Sequence, residues 1–340
     1  MFKYSFTAIA ILLAQVLMAQ IGTQNSYRFL NLAQSPREAA LGGKAALISG
    51  DVGLALSNPA LLDSSMNKHL LLQYTPYNAG INYGNVQYFF ESKKQGSFSL
   101  GIQSFSYGTF TQSDATGQIT GEFGASDFVL YAGHSLRLTD RFKIGMNLKL
   151  IYSNLFEYQS FGFAGDFSSH YSNEDQSFEA ALIIRNIGSE LVNSSKLENQ
   201  LAPLDIQLGF SREVAKAPFK VFVLADNLQK WDLAYDNAAL NRQGEERIFT
   251  IDKLFRHISG GVEFSPNKKF VLRGGYNYMR QQELKIQNRN GLTGFSLGLG
   301  LNLGRYRIEY GLATYHLAGT SNHLSLHTDL GKMKKRRKSS

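Results

Sequence analysis

Four groups of residues carry types that could do chemistry. Ser65-Met66-Asn67-Lys68 spells S-x-x-K, the nucleophile motif of serine acyl-transfer enzymes. That chemistry needs the serine at a helix start with the lysine one turn on. Here Lys68 opens a strand, and the companion S-D-N and K-T-G motifs are absent, so the match reads as chance. His323 and His327 stand four apart, a metal-ligand spacing on a helix. In a strand the pair lies about 13 Å apart, too far for one metal. Asp205 and Glu309 fall on polar strand faces, in company with Arg273, Arg305 and Arg307. Opposite charges facing one another across a polar interior are structural, not catalytic. The only tryptophan lies in Lys230-Trp231-Asp232, followed by Tyr235, inside a long charged connection. An aromatic in such a loop anchors a partner or marks a membrane interface. No catalytic set, phosphate loop or metal cluster stands out, and no enzyme activity or cofactor is expected.

The elements around these residues are strands. Ile144, Met146, Leu148, Leu150 and Tyr152 alternate with Lys143, Gly145, Asn147, Lys149 and Ile151. Phe295 to Leu303 and Leu204 to Phe210 repeat the pattern. A strand turns successive side chains to opposite faces, so each segment has a greasy and a polar face. About fourteen such strands follow Lys68, several of about 10 to 13 residues, the length of a tilted strand crossing a bilayer. The connections alternate in size. Ser92–Gly96, Thr139-Asp140, Ser172–Gln176, Val214–Ala217 and Pro266-Asn267 are short, whereas Gly108–Ala125, Gly188–Ala202, Asn227–Leu254 and Gln281–Gly291 are long. Short turns on one rim and long loops on the other are the pattern of an outer-membrane barrel. Aromatics near strand ends, among them Tyr74, Tyr77, Tyr88, Tyr107 and Tyr152, suit interfacial girdles.

The one helical stretch runs from Ser35 to Leu62. Ser35 can cap it, Pro36 suits the first helical position and Glu38 sits three residues after the cap. Asp51 is a second cap, and Asn58-Pro59 stops that segment. Two helices this short need a wall to pack on. The expected fold is therefore all-β: a fourteen-stranded antiparallel outer-membrane barrel with a short helical hatch. Residues 1–19 read as an export signal, 20–67 as the hatch, 68–331 as the barrel and 332–340 as a basic tail. The chain has no cysteine, which removes disulfides and thiolate chemistry. Its formal charge of +8 falls to about +1 without the signal and the tail. Export excludes a nucleic-acid partner; outer-membrane lipid and lipopolysaccharide are the expected surroundings.

The segments QIGTQNSYRFLNLAQSPREAALGG, DVGLALSNPALL, INYGNVQYFF, TGQITGEFGASDF and LQKWDLAYD resemble the PorQ family of type IX secretion in the Bacteroidetes. The small-residue helix ending in Asn58-Pro59-Ala60 also resembles the hatch of the FadL-like barrels. The first resemblance implies a non-enzymatic docking scaffold. It would hold a PorZ-like surface protein at the outer membrane, beside PorU and PorV. The second implies a channel for hydrophobic small molecules, which an unbroken charged lumen would disfavour. A secreted soluble hydrolase is the third class. Barrel insertion usually reads an aromatic at the end of the last strand, where this chain has Leu330.

Overall fold

Alternation of period two gives every strand one apolar face, and fourteen such strands can bury their edges only by closing on each other. The computed structural model describes residues 25–44, 47, 50–195, 198–233, 250–284, 292–316 and 319–332. In it the strands form one closed antiparallel barrel in which each pairs with its sequence neighbours and β1 pairs with β14. In chain order they are β1 His69–Pro76, β2 Asn82–Ser92, β3 Gly96–Ser113, β4 Ile119–Arg137, β5 Phe142–Leu155, β6 Tyr158–Ser172 and β7 Phe178–Asn193. The second half comprises β8 Asp205–Glu213, β9 Phe219–Ala225, β10 Ile258–Phe264, β11 Phe270–Asn277, β12 Phe295–Leu303, β13 Tyr306–His316 and β14 Gly319–Asp329. Leu72, Val86, Leu100, Leu148, Phe163, Val223 and Leu326 lie on the outer face and are exposed, as lipid contact requires. Gln73, Asn85, Gln103, Asn147, Asp166, Gln207 and Ser325 point inward and are buried.

The short turns gather on one rim. The opposite rim differs from the expectation. Gly108–Ala125 is not a loop: β3 and β4 run through it to a tight turn at Asp114–Gln118. Its alternating threonines favour extended backbone over coil. Likewise β7 runs on to Asn193. The Asn227–Leu254 connection ends in α2, Thr250–Arg256, and Gln281–Gly291 begins within α3, Tyr278–Leu284. Of the expected girdle residues, Tyr77 and Tyr107 instead pack against a cluster inside the barrel.

The hatch fills the lumen. Its start pairs at Asn25 with Leu201 by the long-loop rim, and it leaves through Lys68 into β1 at the other. Ser35 Oγ accepts a hydrogen bond from Glu38 N (3.1 Å), and α1 spans Pro36–Ala40. Among the described hatch residues only α1 is α-helical; the expected second helix is a series of 3-10 turns, Val52–Leu54, Pro59–Leu61 and Ser64–Met66. Asn58 starts one of these, accepting from Ala60 N (3.2 Å), rather than closing a helix. Asp51 and Asp63 cap the other two. A chain this rich in caps resets every few residues and cannot propagate a helix.

Candidate functional site

The site is the interface between hatch and wall, and its two sides are built differently. On the side of β10 to β13, the α1 residue Arg37 reaches the wall. Its Nε and Nη2 donate to the Glu263 carboxylate at 3.0 and 2.6 Å, and Nη1 to Asp51. Arg273 bridges Glu263 (3.0 Å) and Glu309 (2.8 Å). Arg307 lies 2.9 Å from Glu309 and 3.3 Å from Asp51. Three guanidiniums thus face three carboxylates, all largely withdrawn from water. Nearby, Lys44 Nζ sits between Asp205 (2.7 Å) and Asp226 (3.2 Å). A buried charge is tolerable only when paired this completely.

Close approach of the hatch backbone reinforces that grip. A side chain at wall position Gly275 would run into Gly42 and Leu41, and one at Gly311 into Pro36. Ser296 Oγ accepts from Gly42 N (3.2 Å) and donates to Ala40 O (3.1 Å), so α1 is hydrogen-bonded to β12 at its end.

On the side of β2 to β6 an apolar and aromatic patch sits among inward polar residues such as Asn85, Gln103 and Asn147. Tyr83, Phe105, Val129, Tyr131 and Ile151 of the wall enclose Tyr27, Phe29, Leu30 and Leu56 of the hatch. Phe105 is the centre: its ring lies 4.9 Å from Phe29 and 4.7 Å from Tyr83. Three tyrosine hydroxyls of this set have partners. Tyr131 donates to Asn85 Oδ1 (2.7 Å), Tyr83 accepts from Gln103 Nε2 (3.0 Å), and Tyr27 lies 3.1 Å from Ser160 Oγ. The bowl therefore offers ring faces and hydrocarbon, with its polar atoms tied to the wall. Lys149 of β5 brings a charge into this wall, donating to Asp166 and Asn186, each at 2.9 Å.

Asp205, Glu309, Arg273 and Arg307 all sit in the lumen as expected. Arg305 does not: it occupies the β12–β13 turn with its guanidinium 4.6 Å over the Tyr306 ring. Ser35, Pro36, Glu38, Asn58 and Pro59 line the hatch and are buried. Glu38 closes its capping loop one residue early, accepting from Gln34 N (2.7 Å). Ser65 bonds to Asp63, and Lys68 has a left-handed backbone (φ 62°) leading into β1. His323 meets Thr75 and Ser321, whereas His327 faces His69. Trp231 lies on the long-loop rim, 56% exposed, its ring 5.8 Å from His257 and its carbonyl accepting from His257 Nε2 (3.1 Å). Lys230 is exposed and Asp232 pairs with Lys253; Tyr235 lies outside the described residues, as do residues 1–19 and most of the tail.

Sequence reasoning missed the bulge in β7. Asn186 adopts φ 59°, so Arg185 and Asn186 both point inward. The signal was there: two successive polar residues break the alternation of Ile183 to Ile187.

No protein-family model and no curated protein matches the chain. Solved structures do. The toluene transporter TbuX of Ralstonia pickettii is similar at 11% identity and TM-score 0.53, over 88% of this chain and 99% of that one. The toluene transporter TodX of Pseudomonas putida is similar at 13% and 0.50, over 91% and 98%. The CymD monoaromatic hydrocarbon channel is similar at 13% and 0.50, over 89% and 97%. At such identities the likeness is one of fold. The chain is a closed fourteen-stranded antiparallel β-barrel, the fold it shares with these transporter and channel structures.

Proposed function

We propose that this barrel takes up hydrophobic small molecules about the size of one aromatic ring. The observation that carries the reading is the aromatic bowl around Phe105. This patch interrupts the charge of the lumen that counted against a channel, while Asp127, Lys149 and Asp166 share the same wall. There Phe29 occupies the place a ring-sized guest would take, held by contact alone, with no ion pair. The likeness in fold to hydrocarbon channels supports the same reading over a secretion scaffold. Toluene partitioning into purified protein in detergent tests it. Saturable uptake that competes with a second monoaromatic is expected. Linear partitioning no greater than into empty detergent micelles sinks it.

A second reading rests on the PorQ-like segments: a docking scaffold in the attachment complex of a Bacteroidetes type IX system, holding a PorZ-like protein near PorU and PorV. It asks for no catalysis. The exposed Trp231, flanked on α2 by exposed Ile251, Leu254 and Phe255, favours it. Mild-detergent pull-down from outer membranes should then retain the surface protein and lose it with Trp231→Ala. Recovery of the barrel alone from the unaltered strain counts against it.

A further inference from the structure

The β3–β4 hairpin outgrows the wall. Pairing of β2 with β3 ends at Asn82 and Ser106, and pairing of β4 with β5 ends at Ala125 and Leu155. Residues 107–124 therefore stand beyond the rim as a two-stranded ribbon, about 23 Å along each seven-residue strand. Among the described residues no strand pairs with Tyr107–Ser113 on the side away from β4. In an antiparallel pair every second residue turns its N–H and C=O away from the partner. This edge thus presents a short row of free donors and acceptors to solvent.

Exposed edges of this kind are ordinarily blunted with lysine or proline. From Ser104 to Ser126 the chain has no Lys, Arg or Pro. A bulge at Tyr107-Gly108 bends the base, where Gly108 takes φ 83°, but the ladder runs regularly from Thr109–Gly124 to Gln112–Gly121. The ribbon is also held in shape. Asp114 Oδ1 accepts from Thr116 N (2.9 Å) and Gln118 N (3.0 Å), fixing the tip. Phe110, Phe123 and Phe156 stack in a row at 5.3 and 4.3 Å, bracing the ribbon against the β5–β6 turn. Phe110 stays exposed on that row.

We propose that the Tyr107–Ser113 edge is a strand-addition site, and that its occupant is an extended segment of another polypeptide outside the membrane, running antiparallel to β3. Main-chain pairing would supply affinity, and an apolar side chain at alternate positions would lie on the phenylalanine row. The ribbon's only charges are Asp114 and Glu122, so the fitting segment is neutral to basic. A second copy of the chain fits poorly. Two copies in one bilayer share an orientation, so their β3 edges would meet running the same way, in the less stable parallel pairing. The inference stands apart from uptake through the lumen and does not depend on it.

The test uses the full chain in detergent and a blocked fluorescent heptapeptide alternating Thr or Lys with Val. Saturable anisotropy binding is expected. It should weaken at least tenfold when residues 109–124 are replaced by an Asn-Gly turn, and likewise when alternate peptide nitrogens of the probe are methylated. Should the trimmed barrel fail to insert, Thr111→Pro and Gln112→Pro replace it, since one of the two removes an edge donor. The chain has no cysteine, so Thr111→Cys with a cysteine-tipped probe reports the contact directly. Absent binding, equal binding to trimmed protein or equal binding of the methylated probe overturns the proposal. So does a dimer that trimming dissolves, which would assign the edge to a second copy.

Discussion

The two sides of the lumen hold the same hatch by different means. Toward β10 to β13 the contact is ionic, hydrogen-bonded and tight enough that glycine alone fits at Gly275 and Gly311. Toward β2 to β6 rings pack on rings, with hydroxyls directed into the wall, and beside them Asn147 Nδ2 donates to Leu56 O (2.7 Å), Ser168 Oγ accepts from Ala60 N (2.9 Å) and Gly145 admits the Pro59-Ala60 backbone. An ionic contact of this sort resists partial change, because removing one member leaves another buried and unpaired. A packed contact can give up one ring to another of similar size at small cost. One side is therefore a hinge or anchor, and the other is where a guest can replace a hatch side chain. The steady reference for both is the closed barrel ladder.

The largest effect is expected from the anchor. Arg37→Met leaves Glu263 and Asp51 short of their shared cation, at a cost of about 3–5 kcal/mol. The barrel should still form, since its ladder does not use Arg37. Protease cutting within the hatch and solute leakage into liposomes should both rise. A hatch as protected as before would mean that the ionic side is not what holds it.

Phe105→Ala opens the opposite side. Losing a buried phenylalanine costs about 3 kcal/mol in a well-packed core. Here the hatch should stay protected, because Arg37 still anchors it, while toluene uptake changes. Greater hatch cleavage than in Arg37→Met would invert the comparison and make the rings the anchor.

How much of this division was legible in the sequence follows from what each side is made of. Strand number and position were readable because alternation repeats over every strand, and Asp205, Arg273, Arg307 and Glu309 fell on the polar face by parity alone. Arg305 was misplaced because parity does not hold in a turn. The aromatic bowl was not readable: Tyr83, Phe105, Val129 and Ile151 sit on faces that elsewhere carry polar residues, and only the fold reveals that Phe29 meets them. The inward glycines gave no signal either, since a glycine seat is defined by the backbone that approaches it. The free ribbon was read as loop because Gly108, Gly117, Gly121 and Gly124 look like breaks, although the threonines between them keep the strand extended.

The smallest effect separates packing from hydrogen bonding within the bowl. Tyr131→Phe keeps the ring but takes the donor from Asn85 Oδ1, costing about 1 kcal/mol. Asn85 also donates to Gln73 (2.7 Å), so its amide remains held and the strand register should not move. If the bowl works by ring contact, toluene uptake by this variant should match the unaltered protein although its melting temperature falls slightly. A loss of uptake as large as that of Phe105→Ala would mean that the hydroxyl network, not the ring faces, shapes the site. The difference between the two sides would then lie in charge rather than in whether polar bonding is used at all.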